Sequence, residues 1–255
     1  RKRKQVIFYP IGINMGRAFE YRKARKMKRW SSMAKVFTRI SKDIIMAVKA
    51  SGPSPEANSR LKALIQNARD ANMPKDNVER AIKRAVSRDQ ADYKEVVYEG
   101  YAPHGIAVIV ETATDNNTRT VANVRSYFNK CNGSLGTSGS VEFMFERKCY
   151  FKIVQEKIDL EEFEFEMIDF GVEEIFQEYD QEKEIKSLMI YAPFSDFGSI
   201  AKVLEERGHE ILNSGFERIP MDTKKMNIDQ HAEVDKLLEK IEEDEDVQAV
   251  YHNMV

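Results

Sequence analysis

The sequence predicts an α+β protein of several domains, in which a basic three-helix bundle precedes two modules that each combine an antiparallel sheet with helices. Apolar residues recur at helical spacing through residues 31–86. Beyond residue 90 the pattern changes to short alternating segments separated by amphipathic helices. The charge changes sign at the same place: residues 1–90 hold 23 Lys+Arg and 7 Asp+Glu, a net of +16, whereas residues 91–255 hold 17 and 35, a net of -18.

The basic region predicts three short helices. Met33, Val36 and Phe37 begin an apolar stripe that Gly52 and Pro53 bring to an end. A second helix follows within residues 54–73, and Pro74 occupies a favoured position at the start of the third. Short connections predict a bundle with its cations on the outer faces. These cations are Lys35, Arg39, Lys42, Lys49, Arg60, Lys62, Arg69, Lys75, Arg80, Lys83 and Arg84.

The acidic region predicts two α+β modules of ferredoxin-like type. Residues 98–115 form a strand pair with a turn at 103–105, and residues 116–133 form a helix. Residues 139–153 alternate as a strand, broken or turned near Glu146 and Arg147. The second module follows as a helix in 160–171, strands in 173–180 and 185–193, a helix in 196–208 and a strand in 210–220.

The last helix and strand lack partner strands close to them in the sequence. We therefore expect them to return to the first module, so that the second module is an insertion within it. Because the chain begins with Arg, we expect Met15 to be the true start and the preceding residues to be a leader or extension. The predicted divisions are 1–14, the extension; 15–90, the basic helical domain; 91–143 with 219–255, the α+β domain; and 144–218, the inserted acidic domain.

Composition excludes several classes of protein. An apolar fraction of 42% with 14 Phe and 10 Tyr indicates a globular chain. Two cysteines do not make a disulfide framework and fit a reducing cytoplasm, and no apolar run approaches the ~20 residues of a membrane helix. The four histidines and two cysteines show no metal-ligand spacing, and no catalytic triad order stands out. We therefore predict neither catalysis, metal nor cofactor.

The segment RKARKMKRW, residues 22–30, has six cations in nine residues. Lys and Arg gain affinity for phosphates by counterion release, and Trp30, the only tryptophan, can stack on a base or pack on the bundle. A solvated basic face is the alternative, but the surrounding domain is already positive, which favours polyanion binding. The predicted nucleic-acid contacts are Arg17, Arg22, Lys23, Arg25, Lys26, Lys28, Arg29, Trp30, Lys35, Arg39, Lys75, Arg80, Lys83 and Arg84.

Two further segments have the pattern of an anion site. In TDNNTRT, residues 114–120, Asp115 or Asn116 can cap the next helix, and its first turn then offers Thr118, Arg119 and Thr120 to a phosphate, a carboxylate or a partner. A plain helix cap is the favoured interpretation, and the alternative is an anion or partner contact formed by Asn116, Thr118, Arg119 and Thr120. The Gly-rich segment 132–140 resembles a backbone clamp, although a simple connection is favoured.

Several segments together resemble the YebC/PmpR family. They are ANMPKDNVERAIKRA in the helical region, TDNNTRTVANVR, GSLGTSGSV and the closing DVQAVYHN. The resemblance spans Met15 to Val255 and implies a three-helix domain followed by two α+β domains, the third inserted in the second. Most members open with Gly-His-Ser-Lys-Trp, whereas this chain has Gly16-Arg17-Ala18-Phe19.

The resemblance implies regulation of gene expression. Members are mostly described as probable DNA-binding transcriptional regulators, and the family includes the mitochondrial translational activator of cytochrome oxidase. We therefore expect a non-enzymatic, cytoplasmic nucleic-acid-binding protein, with DNA as target. A ribosome-associated translation factor that contacts rRNA or tRNA is the alternative, because phosphate contacts do not distinguish DNA from RNA. The acidic domains are expected to orient the molecule or bind a protein partner.

Overall fold

The structure is a computed structural model that describes residues 33–87, 92–156, 158–180 and 185–255. Within these ranges no helix combines the length and the apolar character needed to cross a lipid bilayer.

The first described domain is a bundle of three helices, α1 (Met33–Ser51), α2 (Ser59–Asp70) and α3 (Lys75–Val86). Gly52 ends α1 because its φ of +87° suits glycine. Asn58 then caps α2: its Oδ1 accepts from the Leu61 N–H at 3.0 Å, and its Nδ2 donates to the Ala47 carbonyl at 2.8 Å. One side chain thus begins a helix and ties it to the helix before. The bundle core contains Ile44, Ile45, Ala47, Val48, Leu61, Ala68, Met73, Val78, Ala81 and Ala85.

The second domain is built on an antiparallel sheet, called sheet A. Its elements are β1 (Lys94–Ala102), β2 (Ile106–Thr114), α4 (Asn117–Lys130), β3 (Ser134–Leu135), α7 (Ile228–Glu242) and β8 (Val247–His252). The strand order is β3-β1-β2-β8. Helices α4 and α7 cover one face, where Val124, Phe128, Leu237 and Ile241 are fully buried. Strand β8, from the end of the chain, therefore completes a sheet that begins near residue 94.

The third domain lies between the two parts of the second and has its own antiparallel sheet, sheet B. Its elements are β4 (Phe145–Val154), α5 (Leu160–Ile168), β5 (Glu174–Asp180), β6 (Ile185–Pro193), α6 (Phe197–Glu206) and β7 (Ile211–Pro220), and the strand order is β5-β6-β4-β7. Helices α5 and α6 cover one face, where Phe163, Met167, Ile200 and Leu204 are buried.

The predicted α+β class, with a helical bundle followed by two sheet domains of which the third is inserted in the second, is confirmed. One strand assignment is wrong: β4 runs without a break through Glu146 and Arg147. The expected turn lies earlier, in a short 3-10 helix over Glu142–Met144. The two-residue strand β3 was not predicted, because it is too short to show an alternating pattern.

Candidate nucleic-acid interface

Helix α3 presents a basic face to solvent. Val78, Ala81 and Ala85 are buried against the bundle, so helical periodicity places the cations on the opposite side. Lys83 and Arg84 are exposed, and neither has a hydrogen-bond or ion-pair partner among the described residues. Both side chains are therefore available to a phosphate.

The two other cations of α3 make only weak contacts. Lys75 Nζ lies 3.6 Å from Glu79. Arg80 Nε donates to the Asp76 carbonyl at 3.2 Å, and its guanidinium contacts the Asn77 side chain. Exposed contacts of this kind contribute little to stability, so a phosphate can replace them at low cost. Four predicted residues of this helix thus lie on one accessible surface, the α3 basic face, defined by Lys75, Arg80, Lys83 and Arg84.

The two predicted residues of α1 lie next to the second domain. Arg39 Nε donates to the Val247 carbonyl at 3.0 Å, and its Nη2 donates to the Glu242 carbonyl at 3.1 Å. Lys35 is half-buried beside the same stretch of acidic chain, residues 242–245. The structure therefore uses Arg39 to join two domains, a role that the helical pattern did not indicate.

The remaining predicted nucleic-acid contacts lie outside the described residues. They are Arg17, Arg22, Lys23, Arg25, Lys26, Lys28, Arg29 and Trp30.

A buried carboxylate, Asp246, joins the helical domain to the second domain. Its Oδ1 accepts from Lys42 Nζ at 3.0 Å, and its Oδ2 accepts from Arg119 Nη2 at 2.7 Å and Thr120 Oγ1 at 2.8 Å. Thr114 Oγ1 adds a longer bond of 3.2 Å. Burial alone would raise the pKa of this carboxyl, but the bonds from Arg119, Thr120 and Lys42 outweigh it and lower the pKa to about 2.

Lys42 was predicted to lie on the outer face of the bundle, and this is wrong. Its residue is 7% exposed, and its Nζ also donates to the carbonyls of Ala113 at 3.0 Å and Glu245 at 2.7 Å. The physical reason is that three acceptor oxygens, one of them on the charged Asp246 carboxylate, replace the water that the ammonium loses on burial.

The segment TDNNTRT acts mainly within the fold. Asn116 Oδ1 accepts from the Arg119 N–H at 3.0 Å, which is the favoured helix cap. Thr120 is fully buried, and its hydroxyl is shared between Thr114 and Asp246. The Arg119 guanidinium bridges Asp115 at 2.9 Å and Asp246. Of the four predicted anion contacts, only the exposed Thr118 has a side chain outside this internal network.

The Gly-rich loop is held by a second buried carboxylate, Glu99. It accepts backbone N–H bonds from Gly139 at 2.6 Å and from Val141 and Glu142 at 2.8 Å each. Burial opposes ionisation, but these three bonds outweigh it and the pKa of Glu99 lies below its ordinary value. Glu99 was not singled out in the sequence, where it reads as one position of an alternating strand.

The acidic residues 242–246 at the end of α7 make contacts within the second domain. Asp244 Oδ2 accepts from Tyr127 OH at 2.9 Å and from Asn123 Nδ2 at 3.1 Å. Burial and this carboxylate raise the pKa of Tyr127 to about 12. Within the described ranges, no group of His, Cys, Asp or Glu could hold a metal ion.

The helical domain also contacts the inserted domain. Asn67 and Ser214 form a reciprocal pair: Asn67 Nδ2 donates to the Ser214 carbonyl at 2.7 Å, and the Ser214 N–H donates to Asn67 Oδ1 at 2.9 Å. Asn213 Nδ2 donates to Asp70 at 3.2 Å, and Lys62 pairs with Glu205 at 2.7 Å. Lys62, Asp70, Glu205 and Ser214 line a cleft of about 980 Å³ between these domains. The contacts fix how the basic bundle lies relative to the acidic domains.

The molecule is thus a three-domain α+β protein with a basic helical domain bonded to two sheet domains. Comparison with known proteins matches residues 17–88 to the TACO1/YebC protein N-terminal domain and residues 93–254 to the TACO1/YebC second and third domain. The chain belongs to the TACO1/YebC family.

Relatives of similar length support this assignment. A protein of Flavobacterium johnsoniae is 65% identical over 94% of this chain and 99% of its own length. One of Porphyromonas gingivalis is 58% identical over 94% and 97%. Both are named "Probable transcriptional regulatory protein". The crystal structure of a conserved hypothetical protein from Aquifex aeolicus matches with a TM-score of 0.73 at 35% identity, over 89% of this chain and 91% of that one.

Proposed function

We propose that this protein is a non-enzymatic, cytoplasmic regulator of gene expression that docks on nucleic acid through its helical domain. The observation that supports the proposal most strongly is the α3 basic face, where Lys83 and Arg84 are exposed and unpaired among the described residues. Phosphates that contact such cations release condensed counterions, which is the main source of affinity in sequence-independent binding.

The distribution of charge supports the same orientation. Residues 33–87 hold 11 Lys+Arg and 5 Asp+Glu, a net of +6, whereas residues 145–220 hold 9 and 19, a net of -10. The contacts between Asn67 and Ser214 and between Lys42 and Asp246 hold these opposite charges in fixed positions. A polyanion is therefore attracted to one end of the molecule and repelled by the other. The acidic end is left to orient the protein or to bind a protein partner.

The relatives are named probable transcriptional regulatory proteins, which favours transcriptional regulation, and we propose DNA as the target. In this proposal the α3 basic face and the cations of residues 17–29 contact backbone phosphates. No cofactor or metal takes part.

A ribosome-associated translation factor is the second candidate. Helix α3 exposes Lys, Arg, Asp and Glu side chains and Val86, but no Gln, and its one Asn is half-buried against Arg80. The face therefore lacks a free amide of the kind that reads adenine in the major groove. The phosphate contacts of such cations suit rRNA or tRNA as well as they suit a duplex.

The direct test neutralises the six cations of residues 22–29 in the full chain and measures affinity for duplex DNA and for structured RNA. We expect affinity to fall by more than tenfold at about 0.1 M salt, since each lost phosphate contact removes counterion release. A matched control changes six exposed cations of the acidic part to Gln. They are Arg125, Lys130, Lys186, Lys202, Lys225 and Lys236. Equal loss in both variants, or no loss in the first, would refute the docking model.

Sedimentation separates the two candidates. Tagged protein in a DNase-treated lysate is run on a sucrose gradient at low and at near-physiological salt. Co-migration with ribosomes at both salts would establish the translation factor. Protein that stays at the top of the gradient in both conditions would favour transcriptional regulation.

A further inference from the structure

Helix α5 has a pair of apolar side chains on the side that faces solvent. Phe163 and Met167 lie in the core of the inserted domain and are buried. Phe165 and Ile168 lie on the opposite side of the helix and are 80% and 63% exposed. Because residues three positions apart are neighbours on a helix surface, these two side chains form one apolar ridge.

Packing within the chain does not account for this ridge. The outer side of a surface helix normally carries polar residues, and α5 already buries its inner side against sheet B. Phe165 is also more exposed than any other aromatic side chain in the part of the chain that the structure describes. Adjacent apolar side chains in water, bordered by polar ones, are typical of a surface that a partner covers.

Carboxylates border the ridge at both ends. Glu161 and Glu162 lie one turn before Phe165, and Asp169 lies one turn after it. All three acidic residues are exposed, and their side chains make no hydrogen bond or ion pair within the described ranges. Helix α5 itself contains four glutamates and no cation.

The protein compensates the charge of α5 at one position only among the described residues. Arg207 pairs with Glu166, and its guanidinium lies 5.5 Å from the Phe170 ring. Burial raises the pKa of Glu164, and the charge of Glu161 raises it further. The uncompensated charge lies on the outer side of the helix. We call this surface the α5 acidic-apolar face; it is formed by Glu161, Glu162, Phe165, Ile168 and Asp169.

We propose that the α5 acidic-apolar face binds a cationic amphipathic helix of another protein. The ridge of Phe165 and Ile168 packs into a groove between apolar side chains of that helix. Its Lys or Arg side chains pair with the carboxylates one turn away. Nucleic acid and anionic lipid are repelled by the same charge, so the complementary partner is a basic protein. The net charge of -10 over residues 145–220 attracts such a partner before contact.

A basic partner fits the proposed function, on which this consequence rests. Proteins that bind nucleic acid are commonly basic themselves. The α3 basic face and the α5 acidic-apolar face belong to different domains, so neither partner occupies the site of the other. One molecule can therefore hold nucleic acid through its helical domain and a basic, nucleic-acid-bound protein through its inserted domain.

Two synthetic peptides test the face on the full chain. Both contain Lys and Leu in the same proportion; one has Leu at helical spacing, and the other has the same residues in an order without an apolar stripe. Each is titrated at about 0.1 M salt into isotope-labelled protein, and the amide signals are followed by NMR. We expect saturable shifts at the amides of α5 with the amphipathic peptide, and binding about tenfold weaker with the other.

A matched pair of variants assigns the binding to the apolar ridge. The face variant is Phe165→Ser with Ile168→Ser, and the control is Met221→Ser with Ile228→Ser. The side chains replaced in the control are also exposed, so both variants should keep the far-ultraviolet circular dichroism of the unsubstituted protein. We expect affinity for the amphipathic peptide to fall about tenfold in the face variant and to stay unchanged in the control.

Four results would overturn the proposal. They are equal binding of the two peptides, equal loss of affinity in the two variants, amide shifts centred on another element, and self-association in sedimentation that only the face variant loses. The last result would assign the face to a second copy of the chain.

Titration of the same proteins with duplex DNA and with structured RNA, without peptide, separates this inference from the proposed function. We expect the face variant to bind nucleic acid as the unsubstituted protein does, and a loss of that affinity would contradict two separate sites. If neither nucleic acid binds any of the proteins while the face variant still loses the peptide, the α5 site stands and the proposed function fails.

Discussion

At the scale of single residues, Asp246 concentrates the contact between the helical and second domains. The residue is 5% exposed, and its carboxylate accepts hydrogen bonds from Lys42, Arg119, Thr120 and Thr114. Removing one partner of a buried ion pair leaves the other charge without compensation, which commonly costs about 3–5 kcal/mol. The exposed Arg119 can turn to water, whereas Lys42 cannot.

We therefore expect Asp246→Asn to lower the free energy of unfolding by about 3 kcal/mol at pH 7. Urea denaturation followed by circular dichroism measures it. Glu243→Gln, an exposed neighbour, is the control and should change stability by less than about 0.5 kcal/mol.

The difference in unfolding free energy between the unsubstituted protein and Asp246→Asn should depend on pH. The folded pKa of Asp246 is about 2, below its ordinary 3.8. Its stabilising contribution is therefore complete above about pH 4 and is lost as the pH falls towards 2. The difference between the two proteins should shrink over that window. A difference that stayed constant from pH 6 to pH 2 would contradict the assigned role.

Asp43 should behave in the opposite way. Burial of its carboxyl raises the pKa to about 7; Arg60 opposes this, and Glu95 and Glu111 add to it. The ionised form is thus disfavoured in the folded state, and stability falls as the pH rises from about 4 to 7. We expect Asp43→Asn to increase the free energy of unfolding at pH 8 and to leave it unchanged at pH 4. Thermal unfolding at both pH values measures this, and equal effects at the two would refute it.

The sequence predicted some of these residues and not others, for a physical reason. The cap at Asn116 depends on residues three positions apart and was recognised as the favoured interpretation. Lys42 and Asp246 are 204 positions apart, and each belongs to a local pattern that is usually solvated. Neither the helical pattern around Lys42 nor the acidic residues around Asp246 indicate that the two side chains pair and become buried.

At the scale of elements, Glu99 makes the Gly-rich loop part of sheet A. A glutamine would offer one acceptor oxygen where three backbone N–H groups now bond. We expect Glu99→Gln to cost about 1–3 kcal/mol and to speed hydrogen exchange at Gly139, Val141 and Glu142. Exchange followed by NMR reports these amides one by one. Glu239→Gln, exposed on α7, serves as the control; unchanged exchange in Glu99→Gln would mean that the loop is held by other contacts.

The edge strand β7 depends on a side chain in place of a neighbouring strand. Asn67 satisfies both backbone groups of Ser214, which would otherwise be a free edge. We expect Asn67→Ala to cost about 1–2 kcal/mol and to loosen the contact between the helical and inserted domains. Faster exchange of the Ser214 amide and a larger radius of gyration in X-ray scattering would follow. Gln66→Ala, one position away, should alter neither.

The local sequence pattern predicted most strands and helices, but it did not predict where each one ends. β2 is a nine-residue, mostly apolar segment bounded by a turn, and the structure places it at Ile106–Thr114. Helix α7 ends at Glu242 although acidic residues continue to position 246, because Asp244 and Asp246 bond to α4 and β2 residues. Tertiary bonds of this kind override helix propensity.

At the scale of the whole molecule, opposite charge is separated by domain. The bundle is bonded to both sheet domains through Asp246, Ser214 and Glu205, so the α3 basic face keeps one direction relative to the acidic surface. Such an arrangement orients a polyanion before contact. The fold class was predictable because the change in period and the change in charge fall together near residue 90. The relative positions of the domains were not, since they depend on pairs distant in sequence, such as Lys42 with Asp246 and Asn67 with Ser214.

The most direct test of nucleic-acid docking is the salt dependence of binding by full-length protein with the α3 basic face intact or neutralised. The variant is Lys75→Gln, Arg80→Gln, Lys83→Gln and Arg84→Gln, and duplex DNA and structured RNA are titrated across about 0.05–0.2 M salt. Each lost duplex contact should reduce the slope of log K against log salt by about 0.9. We expect a steep slope for the unsubstituted protein and one shallower by roughly 2 to 4 for the variant. Equal slopes and affinities for the two proteins would contradict docking through this helix.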